Sequence, residues 1–118
     1  DINKNNKFNH TPLILACKLK LNQEIIHYLI DHGADINKTN DGGCSPLMLA
    51  CKNGDIETAK YLIDNGADIN FRKKRNGKTP LFYLCSHNKG YEFVELVDYL
   101  IQHGADINAV NNNGDTPL

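Results

Sequence analysis

The sequence predicts an all-α fold, a solenoid of stacked helix-turn-helix units with protruding β-hairpin arms. One segment occurs three times, at Thr11–Asn37, Ser45–Asn70 and Thr79–Asn108, and each copy ends in Gly-Ala-Asp-Ile-Asn. Each copy begins with Thr-Pro or Ser-Pro and holds two short apolar stretches, which are too short to form stable helices alone. Because recurrence at this period is the signature of stacked repeats, neighbouring copies should cover each other's apolar faces.

The middle copy shows how the two helices of a unit are specified. The Ser45 hydroxyl can cap a helix start, and Pro46 has the backbone angle that suits the first helical position. Asn53-Gly54 should end this first helix, and Asp55 is placed to cap the second. The apolar residues of the second helix fall on one face at spacings of three and four: Ile56, Ala59, Leu62 and Ile63. This face should be buried.

The outer copies follow the same plan with insertions. In the first copy we expect helices near Pro12–Leu19 and Gln23–His32. In the third copy, the interval from the proline to the glutamate of the second helix is four residues longer than in the middle copy. Four residues are close to one helical turn, so the second helix should begin early, near Tyr91. Tyr91 and Phe93 then become extra aromatic residues, used either for local packing or for docking.

The repeated features resemble those of the ankyrin repeat: the Thr/Ser-Pro-Leu start, the Ala-Cys pair, the glutamate of the second helix and the Gly-Ala-Asp-Ile-Asn close. The resemblance covers essentially the whole chain and implies a single ankyrin-repeat domain over residues 1–118. Its parts are a partial arm (1–10), a repeat (11–37), a second repeat (38–70), a third repeat with a longer arm and a helix–helix insertion (71–108), and a partial repeat (109–118). Because the chain starts like the tail of another unit, we expect it to be excised from a longer array. The usual histidine after Thr-Pro-Leu is replaced by Ile14, Met48 and Phe82, and Asn9 replaces a turn glycine.

Composition gives no sign of a membrane or nucleic-acid protein. The net charge is −1 and no segment is apolar and long enough to span a bilayer. Cys17, Cys51 and Cys85 recur at one repeat position, so we expect small buried residues in a reducing compartment, with Cys44 more exposed. These observations predict an intracellular protein, cytoplasmic or nuclear.

No catalytic motif, metal site or cofactor site is predicted. The chain has no nucleophile elbow, no His-Glu-x-x-His motif and no glycine-rich phosphate loop. Cys85-Ser86-His87 offers two ligands, whereas a closed zinc site needs four. The sequence therefore predicts that this segment is not an enzyme and carries no cofactor.

The resemblance implies a scaffold that binds an unknown protein partner through its concave side and arms. The positions that match this surface are Lys7, Phe8, His10, Thr39, Asp41, Cys44, Lys52, Asn53, Arg72, Lys73, Lys74, Arg75, Asn76, Lys78, Ser86 and His87. Aromatic and arginine side chains dominate binding energy at many interfaces, which favours Phe71, Arg72, Arg75 and Phe82, with Met48 beside them. The resemblance also implies either hydroxylation by an asparaginyl hydroxylase or a structural role in the turn for Asn37, Asn70 and Asn108.

The arm before the third copy is the one dense charge run, with Arg72, Lys73, Lys74, Arg75 and Lys78 in a segment one residue longer than the other arms. Such a run is typical of a solvated hairpin tip, but it also suits an acidic partner surface, and it loosely matches a nuclear-targeting pattern. Two further functions remain open. One is a structural or regulatory array attached to an enzyme or channel, and the other is binding of an anionic ligand or nucleic acid through residues 72–78. The near-neutral total charge argues against nucleic acid. We expect a monomer that can pack end to end through its uncapped terminal repeats.

Overall fold

The computed structural model describes residues 1–86 and 90–117, which form six helices in two rows. The first helices of the units contact one another in the order α1, α3, α5, and the second helices in the order α2, α4, α6. These contacts confirm a stacked, all-α repeat fold, in a molecule with extents of 39 × 29 × 21 Å. The bounds are α1 Pro12–Lys18, α2 Gln23–Asp31, α3 Pro46–Asn53, α4 Ile56–Asp64, α5 Pro80–Cys85 and α6 Tyr91–Gln102.

The helices begin where the capping residues predict. The hydroxyl groups of Thr11 and Ser45 accept hydrogen bonds from backbone N–H groups three residues on, and a proline follows each. Asn22 and Asp55 cap α2 and α4 in the same way. The last helix begins at Tyr91, as the four-residue insertion predicts. Side-chain capping therefore marks the start of α1 to α4, whereas α6 begins after Gly90 without a side-chain cap.

The core is continuous because each repeat covers its neighbour. Leu62 is 0% exposed and Ile63 is buried beside it, as the spacing in α4 predicts. The equivalent Leu100 in α6 is also buried, and all three belong to one apolar cluster that runs through every repeat. Burying apolar surface is the main term that stabilises such a stack.

The β-hairpin form of the arms is not confirmed. Within the described residues there is no β-strand, and the turn of each arm is closed by two backbone hydrogen bonds. Asparagine side chains bind many of the arm N–H groups, so these groups are not free to form a strand ladder. We name these turns arm one (residues 1–10), arm two (38–44), arm three (71–78) and arm four (109–115).

Three of the asparagines that end an Asp-Ile-Asn motif, Asn3, Asn37 and Asn70, join their repeat to the next. The amide oxygen of Asn37 accepts a hydrogen bond from the N–H of Asp68 at 2.8 Å, and the amide nitrogen donates to the carbonyl of Gly66 at 3.3 Å. The same pair of bonds links Asn3 to Asp35 and Gly33, and Asn70 to Asp106 and Gly104. These asparagines therefore connect adjacent repeats, in addition to any structural role within their own turns.

Loss of one bridge should have a measurable effect. We expect Asn70→Ala to lower the free energy of unfolding by about 1 kcal/mol, because two hydrogen bonds between repeats are lost at an exposed site. Asn108→Ala is the matched control, since the Asn108 side chain makes no such bridge in the described part of the chain. Urea unfolding followed by circular dichroism measures both, and equal losses would contradict the bridging role.

The cysteines lie largely where their repeat position predicts. Cys17 and Cys51 are buried, Cys85 is half-buried, and all four thiols are free. Cys44 is also half-buried, because it packs against the edge of the core, which corrects the expectation of an exposed thiol. Burial raises the pKa of Cys51 to about 12. For Cys17, burial and then the charge of Asp55 raise the pKa to about 12.

These pKa values predict slow alkylation and a loss of stability in base. Both thiols stay neutral at about pH 8, so iodoacetamide should modify Cys17 and Cys51 only after unfolding. An unfolded cysteine ionises near pH 9.0, well below the folded pKa of about 12. The unfolded state therefore binds fewer protons between these values, and stability should fall as pH rises through that window. Peptide mapping after a short labelling pulse tests the first statement, and labelling of Cys51 ahead of Cys44 would contradict it.

Candidate binding surface

Arm three is built differently from the other arms. In arms one, two and four, an asparagine begins the turn, and its amide oxygen accepts a hydrogen bond from the N–H that closes it. Lys73 replaces this asparagine in arm three, and the N–H of Gly77 bonds back to its carbonyl at 2.7 Å. The extra residue that the sequence shows here makes a wider turn, which presents Lys74 and Arg75 at an exposed tip.

Neighbouring arms are joined in two pairs. The N–H of Asp41 in arm two donates to the carbonyl of Phe8 in arm one at 3.1 Å. The N–H of Asn112 in arm four donates to the carbonyl of Asn76 in arm three at 2.8 Å. No backbone hydrogen bond joins arm two to arm three, both of which lie wholly within the described ranges. A cleft of about 380 Å³ opens there, lined by Thr39, Asn40, Asp41, Gly42, Gly43, Phe71, Lys73, Lys74 and Arg75.

A second groove, of about 410 Å³, lies between arms one and two. It is lined by Phe8, His10, Lys18, Asn40, Asp41 and Gly42. The Phe8 side chain is 52% exposed, and the Lys7 ammonium lies 5.2 Å from its ring centroid. Lys18 is a member of this groove that the sequence interpretation missed. Its alignment with Lys52 and Ser86, which were both chosen, is the signal that points to it.

The predicted residues divide into exposed and half-buried sets. The exposed ones are Lys7, Phe8, Asp41, Lys52, Asn53, Arg72, Lys74, Arg75 and Ser86. The half-buried ones are His10, Thr39, Cys44, Phe71, Lys73, Asn76 and Lys78. Asn53 is held by the repeat before it, because its amide donates to the carbonyls of Cys17 and Lys18. His87 lies outside the described residues.

Met48 and Phe82 are interior residues, which corrects their assignment to the partner surface. Their side chains are 1% and 8% exposed, and Ile14, at the same position of α1, is also buried. An apolar side chain at this position is stabilised by burial, whereas the histidine usual in the family is polar. Neither residue is available to a partner while the chain is folded.

Arg72 holds two arms together rather than standing free as an anchor. Its Nε donates to the carbonyl of Gly77 at 3.3 Å, and its Nη2 donates to the carbonyl of Val110 in arm four at 2.9 Å. Asn112 adds a bond from its amide to the carbonyl of Arg75 at 3.1 Å. We name this contact between arms three and four the arm clamp. A single sequence gives no sign of it, because the carbonyls involved lie far along the chain.

The arm clamp depends on a glycine. Gly77 has φ +73°, and a Cβ placed there would lie 2.5 Å from Oδ1 of Asn112 and 2.8 Å from Nη2 of Arg72. We expect Gly77→Ala to cost about 1–2 kcal/mol, because it adds left-handed strain and displaces the arm clamp. Gly114→Ala is the matched control, since Gly114 has φ +84° with no neighbour within 4 Å. Hydrogen exchange at residues 110–113 should quicken more in Gly77→Ala, and equal exchange in both variants would exclude a steric role.

The cations of arm three have no counterion among the residues that the structure describes. Lys60–Glu95 is the single ion pair within residues 1–86 and 90–117, and it joins α4 to α6, away from the arms. Lys73 and Lys78 instead place their ammonium groups 5.8 and 5.9 Å from the ring centroid of Tyr83. Two positive charges therefore converge on one aromatic ring beside the cleft, an arrangement that favours an approaching anion.

Two features of residues 1–86 and 90–117 bear on other functions. No helix among them has the length and apolar character needed to cross a bilayer. No cluster of three or more histidine, cysteine, aspartate or glutamate side chains suited to a metal ion occurs among them either.

Comparison with known families covers nearly all of the chain. A family model described as ankyrin repeats in three copies matches residues 1–73, and a model of the single ankyrin repeat matches residues 76–112. No curated protein matches the chain. The two family matches coincide with the stacked helix pairs and the arms described above. The chain belongs to the ankyrin repeat family.

Proposed function

We propose that this chain is a non-catalytic binding module that takes a protein partner on its concave side, formed by the arms and the ends of the first helices. Ankyrin repeats are generally protein-interaction modules, and repeat proteins of this kind are typically non-enzymatic scaffolds. The observation that carries the proposal is the pair of grooves between the arms, whose linings differ from each other. The same stacked helix pairs support both grooves, while the residues that line the two grooves differ.

The groove between arms one and two supports a contact residue at Phe8. An aromatic ring that is half exposed beside a 410 Å³ groove can bury its remaining surface against a partner at little entropic cost. The framework below is fixed by the asparagine bridges, so binding does not need to order the backbone there. Phe8 is thus the anchor that we favour in place of Phe82 and Met48.

Two further parts of the proposal concern location and assembly. Four free thiols, two of them fully buried, suit a reducing intracellular compartment. We propose a monomer, with the stack ends as the one route to end-to-end packing. Ile25 and Tyr28 at one end, and Tyr91 and Val94 at the other, leave apolar surface exposed.

Site-specific photo-cross-linking tests the proposal. We expect p-benzoylphenylalanine in place of Phe8 to cross-link a discrete protein in lysate of the source organism. The same residue in place of Glu57, which is exposed on the second-helix row, should give no discrete product. Equal yields from the two positions, or none from Phe8 and from Lys52 on the same side, would contradict binding on the concave side.

A further inference from the structure

Positive and negative charges are segregated in this chain, although the total charge is −1. Helices α2, α4 and α6 carry seven carboxylates and one lysine, whereas arm three carries five cations and no carboxylate. Screening at physiological salt acts over about 8 Å, so the potential at arm three is set by its own charges more than by the distant helices. The near-neutral total therefore conceals a locally basic surface.

The cleft between arms two and three brings this charge to an opening. Lys73, Lys74 and Arg75 line one wall, and the neutral groups from Thr39 to Gly43, interrupted by Asp41, line the other. The Asp41 carboxylate on that wall accepts a hydrogen bond from the Asn9 amide of arm one at 2.6 Å, and it forms no ion pair with the described cations of arm three. The aliphatic part of the Lys73 side chain packs against Gly43, since a Cβ built on Gly43 would lie 3.4 Å from Cγ of Lys73. Arms two and three are therefore in contact there. Within the described residues, no carboxylate forms an ion pair with this basic wall.

We propose that the cleft between arms two and three binds an acidic, extended polypeptide segment of the partner, a conclusion that rests on the proposed protein-binding function. Carboxylates of that segment lie against Lys74 and Arg75 at the tip of arm three. Lys73 and Lys78, beside Tyr83, take a further carboxylate at the side of the cleft. The unbonded edges of the two arms leave the opening accessible to an extended chain.

A polypeptide suits the cleft better than a nucleic acid. Phosphates are spaced at fixed intervals along a nucleic acid, so a strand that fills the cleft also meets Asp41 on the opposite wall. The carboxylates of a polypeptide depend on its sequence, so a segment can place glutamate or aspartate opposite the cations of arm three and a neutral side chain opposite Asp41. Single-stranded nucleic acid is also bound largely by stacking on aromatic rings, whereas the aromatic ring in this cleft, Phe71, is half-buried.

The test uses the whole chain and defined probes. The probe is a fluorescein-labelled peptide of alternating glutamate and serine, about 16 residues long, which is long enough when extended to cross the molecule. Its counterpart replaces every glutamate with glutamine, and a thymidine oligonucleotide of the same length tests the nucleic-acid alternative. Fluorescence anisotropy gives the affinity of each probe at about 50 and 150 mM salt, because charge contacts weaken as screening increases.

The variant Lys74→Gln/Arg75→Gln removes two exposed cations from the tip and leaves the arm clamp intact. The control Lys4→Gln/Lys20→Gln removes two exposed cations that do not line the cleft. We expect the tip variant to weaken binding of the glutamate peptide by roughly tenfold and the control to change it less than twofold. The glutamine peptide should bind neither the native chain nor the variants.

Each other outcome overturns the inference. Equal weakening by the tip and control variants would mean non-specific charge attraction. Equal binding of the two peptides would exclude carboxylate recognition, and tighter binding of the oligonucleotide would assign the cleft to nucleic acid. The cross-link from Phe8, repeated in the tip variant, separates this inference from the proposed function. An undiminished cross-link leaves the binding module standing and rejects the acidic segment, whereas no cross-link in the native chain rejects the binding module itself.

Discussion

Replacing Leu62 with alanine should lower the free energy of unfolding by about 3 kcal/mol. Leu62 is 0% exposed and lies in α4, the second helix of the middle repeat, which contacts α2, α3 and α6. The substitution removes apolar contacts and leaves a cavity that this network of helices can close only in part. Because the middle repeat contacts both neighbours, the loss weakens two interfaces at once.

Leu19→Ala provides the matched control for this loss. The same atoms are removed from a side chain that is 63% exposed, so we expect a change of no more than about 0.5 kcal/mol. The chain has no tryptophan, so urea unfolding is best followed by circular dichroism of the helices. The native chain should unfold in one transition, and Leu62→Ala should broaden it as the terminal repeats uncouple. Similar losses in the two variants would mean that the apolar cluster does not carry the stability of the stack.

The helices could be predicted from the sequence because their signals are local. A hydroxyl or carboxylate cap, a proline at the first position and a spacing of three and four residues act within one turn of chain. Even the early start of α6 at Tyr91 followed from counting residues. The apolar face of α4 was predictable for the same reason, since Leu62 and Ile63 share it.

The arms could not be predicted to the same degree because competing hydrogen bonds decide their form. A glycine-containing segment between helices suits a hairpin, but asparagine amides close the turns in arms one, two and four, and no strand forms there. The width of arm three follows from one added residue and from lysine in place of asparagine. The composition of the segment predicts a turn, and only the three-dimensional contacts show which donors and acceptors meet.

The surface residues were partly mispredicted for a related reason. The aromatic character of Phe82 favours a binding anchor, with Met48 beside it, but burial of these apolar side chains is more favourable than exposure. Arginine is a frequent anchor at interfaces, which favours Arg72, yet its guanidinium donates hydrogen bonds to the carbonyls of Gly77 in arm three and Val110 in arm four. A backbone hydrogen bond joins arms one and two, and another joins arms three and four, but none joins arms two and three. The cleft opens at this unjoined pair, and the sequence alone does not show which pair of arms lacks the bond.

A buried polar cluster joins the first repeat to the second, in addition to the asparagine bridges. Asp55 is 6% exposed, and its carboxylate accepts hydrogen bonds from the Thr58 N–H at 3.3 Å, the Thr58 hydroxyl at 2.7 Å and the Gln23 amide at 3.2 Å. Gln23 begins α2, while Thr58 lies in α4, so one carboxylate caps its own helix and ties it to the helix before. Polar groups buried in this way are costly when a partner is removed.

Asp55→Ala should therefore cost about 2 kcal/mol, because α4 loses its cap and the Thr58 hydroxyl and the Gln23 amide keep only their hydrogen bonds to each other. Asn22→Ala is the matched control, because Asn22 caps α2 through one exposed bond to the Ile25 N–H, and we expect about 1 kcal/mol for the cap alone. Asp55→Asn keeps one oxygen for the Thr58 N–H and should fall between the two. Urea unfolding of the three variants measures the series. If Asp55→Ala costs no more than Asn22→Ala, the cluster acts only as a cap, and the first two repeats are held together by apolar contacts and the asparagine bridge.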